Sequence, residues 1–163
     1  MKRKIKSAEH EEHVIARTFV KRKRTFAVAE SCTGGLVSSR ITDVAGSSRY
    51  FKGGVVAYSN GVKISLLGVP AGTIKKYGAV SAQTAGAMAC GVKKLLGADA
   101  AAAITGIAGP GGAVPGKPVG LAFLAFSDKK LTRTRKVIFK GNRETVKARF
   151  SQALLEFVIA RIK

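Results

Sequence analysis

Short apolar runs with β propensity alternate with helical patterns along most of this sequence, and that alternation limits the fold more than any other feature. The runs predict three strands, at residues 25–29, 53–57 and 100–105. Helical periodicity predicts four main helices, at residues 7–20, 36–44, 82–96 and 143–162. A hairpin is predicted from residues 119–126 and 131–139. This order predicts an α/β fold, a three-layer α/β/α sandwich with a mixed sheet, whose active site lies at the carboxyl ends of strands.

Small polar residues mark where the predicted helices begin. Ser7, Ser81 and Asn142 are predicted N-caps of the helices that follow them. Asn60 is predicted to cap a short helix that ends near residue 67, and residues 70–78 are predicted to form a loop or turn. No repeat or linker interrupts the 163 residues, so residues 1–163 are expected to form one domain.

The charge balance is extreme for one domain, because 29 lysines and arginines face only 9 acidic residues and leave a net charge of +20. A solvated basic surface explains this without a partner, and affinity for nucleic acid or phosphorylated metabolites is the alternative. The densest basic run, residues 21–24, has no interleaved aromatic side chains on which bases would stack. Charge alone therefore predicts at most non-specific, salt-sensitive nucleic-acid binding.

Cysteine content and hydropathy predict a soluble, cytoplasmic protein. Cys32 and Cys90 make no disulfide framework in a chain of this length, which fits a reducing compartment. The basic N-terminus lacks the apolar stretch of a signal peptide. The longest apolar runs, such as residues 119–126, are too short to span a bilayer, so no membrane partner is expected.

Histidine occurs only at positions 10 and 13. In the HExxH zinc motif the two histidines are four residues apart, whereas His10 and His13 are three apart, and the cysteines complete no zinc set with them. The preferred interpretation is a surface face of a helix, and neither a metal nor another cofactor is expected. A Ser-His-Asp or Cys-His site would have to reach this N-terminal helix.

Ser31 is the residue whose position is most typical of a catalytic site. It follows the first predicted strand and precedes two glycines and a helix, so its hydroxyl is expected near backbone N–H groups that could stabilise an oxyanion. From spacing alone, the favoured interpretation is that Ser31 or Thr33 only caps the helix. Cys32 is a rival nucleophile, but without a histidine nearby a buried small residue is the simpler interpretation.

Because both histidines are remote, the base for Ser31 would be a lysine or a tyrosine. Lys63 follows the second predicted strand on the first turn of a helix, where burial and the positive helix end would both favour the neutral amine. Tyr58 lies at the same strand end. The alternative for Lys63, as for any lysine, is an exposed surface residue.

A glycine-rich loop, residues 105–112, follows the third predicted strand. Its glycines allow close backbone approach to a ligand and its N–H groups could hold a phosphate, although a plain surface loop is the alternative. Residues 111–117 resemble a P-loop. However, Pro118 replaces the Ser or Thr of that motif and a strand follows instead of a helix, which argues against an ATPase of that type.

Four segments in order resemble the C-terminal domain of the CinA competence/damage-inducible family. They are AESCTGG at 29–35, GSSRYFKGGVVAYSNGVK at 46–63, GAVS at 78–81, and TGIAGPGG with KPVG within 105–120. The resemblance covers nearly the whole chain. It implies a three-layer α/β/α fold. From the stand-alone members it also implies metal-free hydrolysis of the carboxamide of nicotinamide mononucleotide, giving nicotinate mononucleotide and ammonia.

The resemblance also implies roles for individual residues. Ser31 corresponds to the family's nucleophile and Lys63 to its base, with Tyr58 and Ser48 relaying or orienting protons and Ser48 as an alternative nucleophile. Substrate contacts are implied for Thr33, Gly34, Thr105, Gly106 and Arg143. Arg143 would pair with the nucleotide phosphate as a bidentate fork.

The sequence departs from the family pattern near Arg143. Asn142 stands where the family often has Asp, and Lys147 stands where a second arginine is common. Both residues keep the site basic, so they bear on substrate preference more than on activity. The N-terminal domain of longer members has no counterpart here, so a pyrophosphatase activity would be expected on another chain.

Two further expectations concern partners. The alternative to an amidase is a catalytically inactive domain that binds a nucleotide, or a partner protein linked to competence or the DNA damage response. Helix 82–96 is rich in Ala and Gly and would allow close packing against a second copy, so a homo-oligomer is plausible.

Overall fold

A five-stranded mixed sheet forms the centre of the protein in a computed structural model that describes residues 10–162. The strands are β1 (Phe26–Glu30), β2 (Phe51–Val56), β3 (Ala100–Gly106), β4 (Leu121–Ser127) and β5 (Thr132–Ile138). They lie in the order β2-β1-β3-β4-β5. The strands β2, β1 and β3 run parallel, and β4 is antiparallel to both β3 and β5. The carboxyl ends of the three parallel strands therefore meet at one edge.

Within residues 10–162, six helices cover the two faces of the sheet. They are α1 (Glu11–Lys21), α2 (Leu36–Thr42), α3 (Asn60–Ser65), α4 (Ala71–Tyr77), α5 (Ala82–Leu95) and α6 (Arg143–Ile162), and a short 3-10 turn spans Ser47–Arg49. The helices α1, α2 and α6 pack together on one face, whereas α5 and the segment around α3 and α4 pack on the other. This is the three-layer α/β/α sandwich with a mixed sheet that the sequence predicts.

The middle of the sheet is fully buried, which fixes the strand ends beneath the site. Every residue of β1 is buried, and so are the first six residues of β3. Four consecutive alanines begin β3, and their small side chains let α5 pack closely on one face and α6 on the other. Burial of this continuous apolar surface is the dominant stabilising contribution to such a domain.

The predicted strands, the hairpin and the longer helices are confirmed with shifts of a few residues at their ends. The Ser81 hydroxyl accepts from the Thr84 amide at the start of α5, and the Asn142 side chain accepts from the Thr145 amide at the start of α6, so both predicted caps are confirmed. The Ser7 cap lies outside the described residues.

Two local predictions were wrong. Residues 70–78 were expected to be a loop, but they contain α4, which begins after Pro70 and ends at Gly78 with a φ of 81°. Proline before a helix and glycine after it are known boundary signals, and here they enclose a helix without any buried residue, so no apolar periodicity marks it. The cap of α3 is Ser59 rather than Asn60, because the Ser59 hydroxyl accepts from the Val62 amide.

The small residues of α5 are used inside the chain. A side chain at Gly91 would collide with the backbone carbonyl of Leu67, and one at Gly86 would touch the methyl groups of Thr132 and Thr134. The small residues of α5 that were expected to pack against a second copy therefore face neighbouring segments of the same chain. An oligomer stays a prediction. Among residues 10–162, no helix is both long and apolar enough to cross a bilayer.

Candidate functional site

The carboxyl ends of β1, β2 and β3 open into a cavity of about 250 Å³. The end of β1 contributes Ser31 and Cys32, the segment after β2 contributes Tyr58 and Lys63, and the end of β3 begins a long loop. The lining residues are Ser31, Cys32, Tyr58, Asn60, Lys63, Ala79, Val80, Thr105, Gly106, Ile107, Ala108, Gly109, Gly111, Gly112 and Arg143. They include two basic groups and no carboxylate, so the cavity is suited to an anion.

Lys63 is buried and its amine points at Ser31. The side chain is 1% exposed, and Nζ lies 3.0 Å from Ser31 Oγ, 2.8 Å from the Ala57 carbonyl oxygen and 3.0 Å from the Tyr58 carbonyl oxygen. Burial lowers the pKa of Lys63 from its ordinary value, while the neighbouring Cys32 acts more weakly in the opposite direction.

This arrangement of three acceptors suits a neutral amine as well as an ammonium ion. An ammonium would donate to all three oxygens. A neutral amine can donate two N–H bonds to the carbonyls of Ala57 and Tyr58, which leaves its lone pair directed at the Ser31 hydroxyl proton. In that state Lys63 is positioned to remove the proton from Ser31 Oγ.

The carboxylate of Glu30 organises the turn that carries Ser31, a role that was not predicted from the sequence. Glu30 is fully buried. Its Oε2 accepts from Thr33 Oγ1 at 2.6 Å and from the amides of Gly35 and Val37, and its Oε1 accepts from the amide and the hydroxyl of Ser38. An acidic residue directly before a helical turn was the available signal, since carboxylates stabilise helix N-termini.

This carboxylate changes one expectation about Ser31. We expected the first amides of α2 to be available as oxyanion donors, but those of Gly35, Val37 and Ser38 already donate to Glu30. Space for this arrangement comes from β2, because a side chain at Gly54 would collide with the Ser38 hydroxyl. Any oxyanion at Ser31 must therefore be stabilised by other donors.

The Gly-rich loop after β3 offers such donors. Residues 107–112 follow β3 along one wall of the cavity. Within the described residues, the amides of Ala108, Gly109 and Gly112 donate to no backbone or side-chain acceptor. Free N–H groups in a glycine-rich loop are typical of an anion-binding wall.

Arg143, the first residue of α6, closes the cavity at its rim. Its Nη1 donates to the Gly109 carbonyl at 2.7 Å, and its Nη2 donates to the Tyr58 hydroxyl at 3.3 Å. Arg143 thus ties the loop after β3 to the segment after β2. Tyr58 is 61% exposed, so its ring lies at the mouth rather than inside the cavity.

Cys32 lines the cavity beside Ser31 but carries an unreactive thiol. Burial raises its pKa to about 12, and the charge of Glu30 acts in the same direction. Since the thiolate is the nucleophilic form, this supports the interpretation of Cys32 as a buried small residue.

Three residues that were predicted to contact substrate are bonded or placed differently in the structure. The Thr33 hydroxyl is buried on Glu30, so the substrate contact expected for Thr33 is not available. Gly34 is exposed outside the cavity, where an added Cβ would lie 3.7 Å from Lys147 Nζ. Thr105 lines the cavity, but its hydroxyl donates to the Ala79 carbonyl at 2.8 Å and so holds the segment around residue 79 in place.

Gly106 lines the cavity, but packing also requires it to lack a side chain. A Cβ at Gly106 would lie 2.6 Å from the Ala122 Cβ and 2.7 Å from the Leu121 carbonyl oxygen on β4. In the P-loop-like segment, residues 111–117, the lysine makes a hydrogen bond inside the protein: Lys117 Nζ donates to the Tyr77 carbonyl oxygen at 2.6 Å. This fits the rejection of an ATPase.

Ser48 does not reach the site. It lies exposed in the 3-10 turn before β2, and the first residue of β2 pairs with the first residue of β1. Ser48 is therefore at the amino edge of the parallel strands, whereas Ser31 is at the carboxyl edge, about one strand length away. The expectation that Ser48 assists or replaces Ser31 was wrong for this geometric reason.

A larger cavity lies elsewhere and lacks comparable chemistry. It measures about 610 Å³ and lies between α5 and the chain from Ser65 to Pro70. Its walls are mostly apolar, and Cys90 and Lys94 are its only titratable lining residues. Among residues 10–162, no group of three or more His, Cys, Asp or Glu side chains is placed to hold a metal ion.

The fold and the cavity at the carboxyl edge of the sheet define a class of protein. It is an α/β/α domain with a buried lysine and a serine at the carboxyl ends of parallel strands. The chain belongs to the CinA C-terminal domain family, which matches residues 8–162.

Sequence relatives agree with that family. A putative competence-damage inducible protein of Halothermothrix orenii is 56% identical over 131 residues, which are 79% of this chain and 32% of the relative. A CinA-like protein of Thermotoga neapolitana is 46% identical over 95% of this chain and 38% of its own length. The chain thus spans about a third of the length of these curated relatives.

Solved structures match over almost their full length. The competence/damage inducible protein CihA from Agrobacterium tumefaciens has a TM-score of 0.90 at 37% identity, covering 94% of this chain and 96% of that one. The competence damage-inducible protein A (ComA) from Klebsiella pneumoniae has a TM-score of 0.90 at 31% identity, covering 94% and 98%.

Proposed function

We propose that this domain is a nicotinamide-nucleotide amidase, which hydrolyses the carboxamide of nicotinamide mononucleotide to nicotinate mononucleotide and ammonia. The observation that carries the proposal is the 3.0 Å separation between the buried Lys63 Nζ and Ser31 Oγ. A hydroxyl held against a desolvated amine is the arrangement that serine–lysine acyl transfer requires. The substrate class comes from the family resemblance.

In the first half of the reaction, neutral Lys63 accepts the proton of Ser31 and the oxygen attacks the carboxamide carbon. A C–O bond forms, and the carbonyl oxygen takes up negative charge. Lys63, now protonated, gives its proton to the amide nitrogen, the C–N bond breaks, and ammonia leaves an ester on Ser31. The same lysine then activates water, which cleaves the ester and regenerates both groups.

The developing oxyanion needs donors that Glu30 has not already taken. We propose the amide of Cys32 and the unoccupied amides of Ala108, Gly109 and Gly112, which border the same cavity. Losing one such donor typically costs about 2.7–4 kcal/mol of transition-state stabilisation.

Arg143 is proposed to bind the nucleotide phosphate at the rim of the cavity. A guanidinium group can form two parallel hydrogen bonds with a phosphate, and Lys147 lies one helical turn further along α6. Tyr58 is proposed to orient Arg143 through its hydroxyl rather than to relay a proton, because its ring is exposed.

The test is ammonia release from nicotinamide mononucleotide by the purified protein. The proposal expects the wild-type protein to release ammonia and Ser31→Ala to lose the activity. Ser39→Ala, which removes an exposed serine on α2, is the matched control and should behave as the wild type. Equal activity in Ser31→Ala would overturn the assignment. Substrate binding by the wild-type protein without any ammonia release would favour the inactive binding domain.

A further inference from the structure

The exposed edge of the sheet at β5 is strongly basic. Residues 129–140, here called the basic edge, contain no acidic residue and six basic ones: Lys129, Lys130, Arg133, Arg135, Lys136 and Lys140. β5 pairs only with β4, and six of its seven residues are exposed. This feature takes no part in the proposed amidase site.

Few acidic groups neutralise the basic edge. Asp128 accepts from the amides of Lys130 and Leu131 within the hairpin turn and lies 3.8 Å from Arg24. Lys129 lies 3.8 Å from Asp99. Within residues 10–162, no carboxylate forms an ion pair with the remaining basic side chains of the edge, which are Lys130, Arg133, Arg135, Lys136 and Lys140.

The charges form a row along the strand. Arg133 and Arg135 alternate with threonines, so they share one face of β5 and are about 7 Å apart along the strand. α5 packs beside the opposite face, where a Cβ added at Gly86 would lie 3.7 Å from the methyl carbons of Thr132 and Thr134. The helix on the arginine side, α6, packs mainly on β3 and β4, which leaves Arg133 and Arg135 open to solvent.

We propose that the basic edge binds the phosphate backbone of nucleic acid without sequence specificity. A row of fixed, unneutralised positive charges along an open strand complements a linear polyanion, and counterion release favours such binding at low salt. No tryptophan occurs in the chain and Phe139 is half-buried, so base stacking contributes little. Acidic protein and anionic lipid are less well matched, because the row is linear and Ile138 is its only large exposed apolar side chain.

A competing explanation is that basic residues on an edge strand prevent edge-to-edge aggregation. That explanation predicts no preferred site for nucleic acid. The two can be separated by removing equal charge from the two edges of the same sheet. The test variant is Arg133→Gln with Arg135→Gln. The matched control is Arg49→Gln with Lys52→Gln at the β2 edge, where both residues are exposed.

The measurement is the salt-dependent affinity of each protein for a short, mixed-sequence, fluorescent single-stranded oligonucleotide. The β5 variant should bind about tenfold or more weakly at low salt, and the slope of log affinity against log salt should fall by roughly 1.4, since two phosphate contacts are lost. The β2 control should stay close to wild type. Equal weakening in both variants, or no binding by the wild-type protein, would overturn the proposal.

A second measurement needs no variant. Hydrogen exchange of the wild-type protein with and without the oligonucleotide should show protection in residues 129–140 and none in β2. Protection elsewhere would contradict the proposal, even if the β5 variant failed to fold. Phosphatidylserine vesicles serve as the lipid comparison, and a basic edge that binds them in preference to the oligonucleotide would also overturn it.

Discussion

Lys63 Nζ lies 3.0 Å from Ser31 Oγ, although the two residues are 32 positions apart and belong to different elements. Ser31 follows β1, and Lys63 lies on the short helix that follows β2. The parallel pairing of β1 with β2 brings their carboxyl ends together, so the pair is a direct consequence of the topology.

The pH dependence of amidase activity tests the protonation of Lys63. Burial lowers its pKa, so the neutral base is present at a lower pH than for an exposed lysine. Activity should fall as the pH drops through this lowered pKa and level off above it, at a pH below the ordinary lysine value of 10.5. Steady-state rates across the alkaline range measure this.

Lys63→Arg is the control for that profile, because arginine stays protonated and cannot act as the base. It should lose about 10²–10⁴-fold in rate. A wild-type rate that rises tenfold per pH unit up to the ordinary lysine pKa would contradict the account.

Replacing Glu30 by glutamine should reduce both stability and turnover. The amide would turn N–H groups toward donors that now bond to the carboxylate, at a cost of about 2–4 kcal/mol. The loosened turn should lower kcat more than it raises KM, since Ser31 would lose its position against Lys63. Denaturant unfolding and steady-state kinetics measure the two effects. Glu156→Gln, which changes an exposed carboxylate, should alter neither, and a fully active, stable Glu30→Gln protein would refute the role of Glu30.

Arg143→Ala should weaken the preference of the proposed amidase for a phosphorylated substrate. The wild-type protein should prefer nicotinamide mononucleotide to the riboside that lacks the phosphate, and the variant should lose most of that preference through a higher KM for the nucleotide. The expected loss is about 1.5–3 kcal/mol, as for a hydrogen bond to a charged group. If Arg143→Ala slows both substrates equally, Arg143 only holds the loop at Gly109.

Tyr50→Phe should leave the protein as stable as before or slightly more so. The Tyr50 hydroxyl is buried, finds no hydrogen-bond partner among the described residues, and has its pKa raised to about 12 by burial. Removing an unsatisfied polar group relieves a desolvation cost of about 1–3 kcal/mol. Urea unfolding measures the change. A marked loss of stability would mean that the hydroxyl is satisfied in solution.

The fold could be predicted from sequence because alternating strands and helices leave few arrangements. The prediction of the site failed where it depended on how separate segments are placed relative to one another in three dimensions. The position of Ser48 could have been inferred from the order of the elements. Ser48 precedes β2 and Ser31 follows β1, and because these strands are parallel, the two serines lie at opposite edges of the sheet.

Glu30 could not be assigned in the same way. Its role depends on five donors from the next eight residues converging on one carboxylate, and on the missing side chain of Gly54. Only the adjacency of an acidic residue to a helix start was visible beforehand. The short helix α4 escaped prediction because none of its seven residues is buried, so it has no apolar face whose spacing could indicate a helix.

Trapping the covalent intermediate tests the account most directly. Protein mixed with nicotinamide mononucleotide, acid-quenched in the first turnover and analysed by fragmentation mass spectrometry, should carry the nicotinate mononucleotide acyl group on Ser31 itself. The Ser31→Ala variant should carry none. An adduct on Cys32, Tyr58 or Ser48, or full ammonia release by Ser31→Ala, would contradict the assignment of Ser31 as the nucleophile.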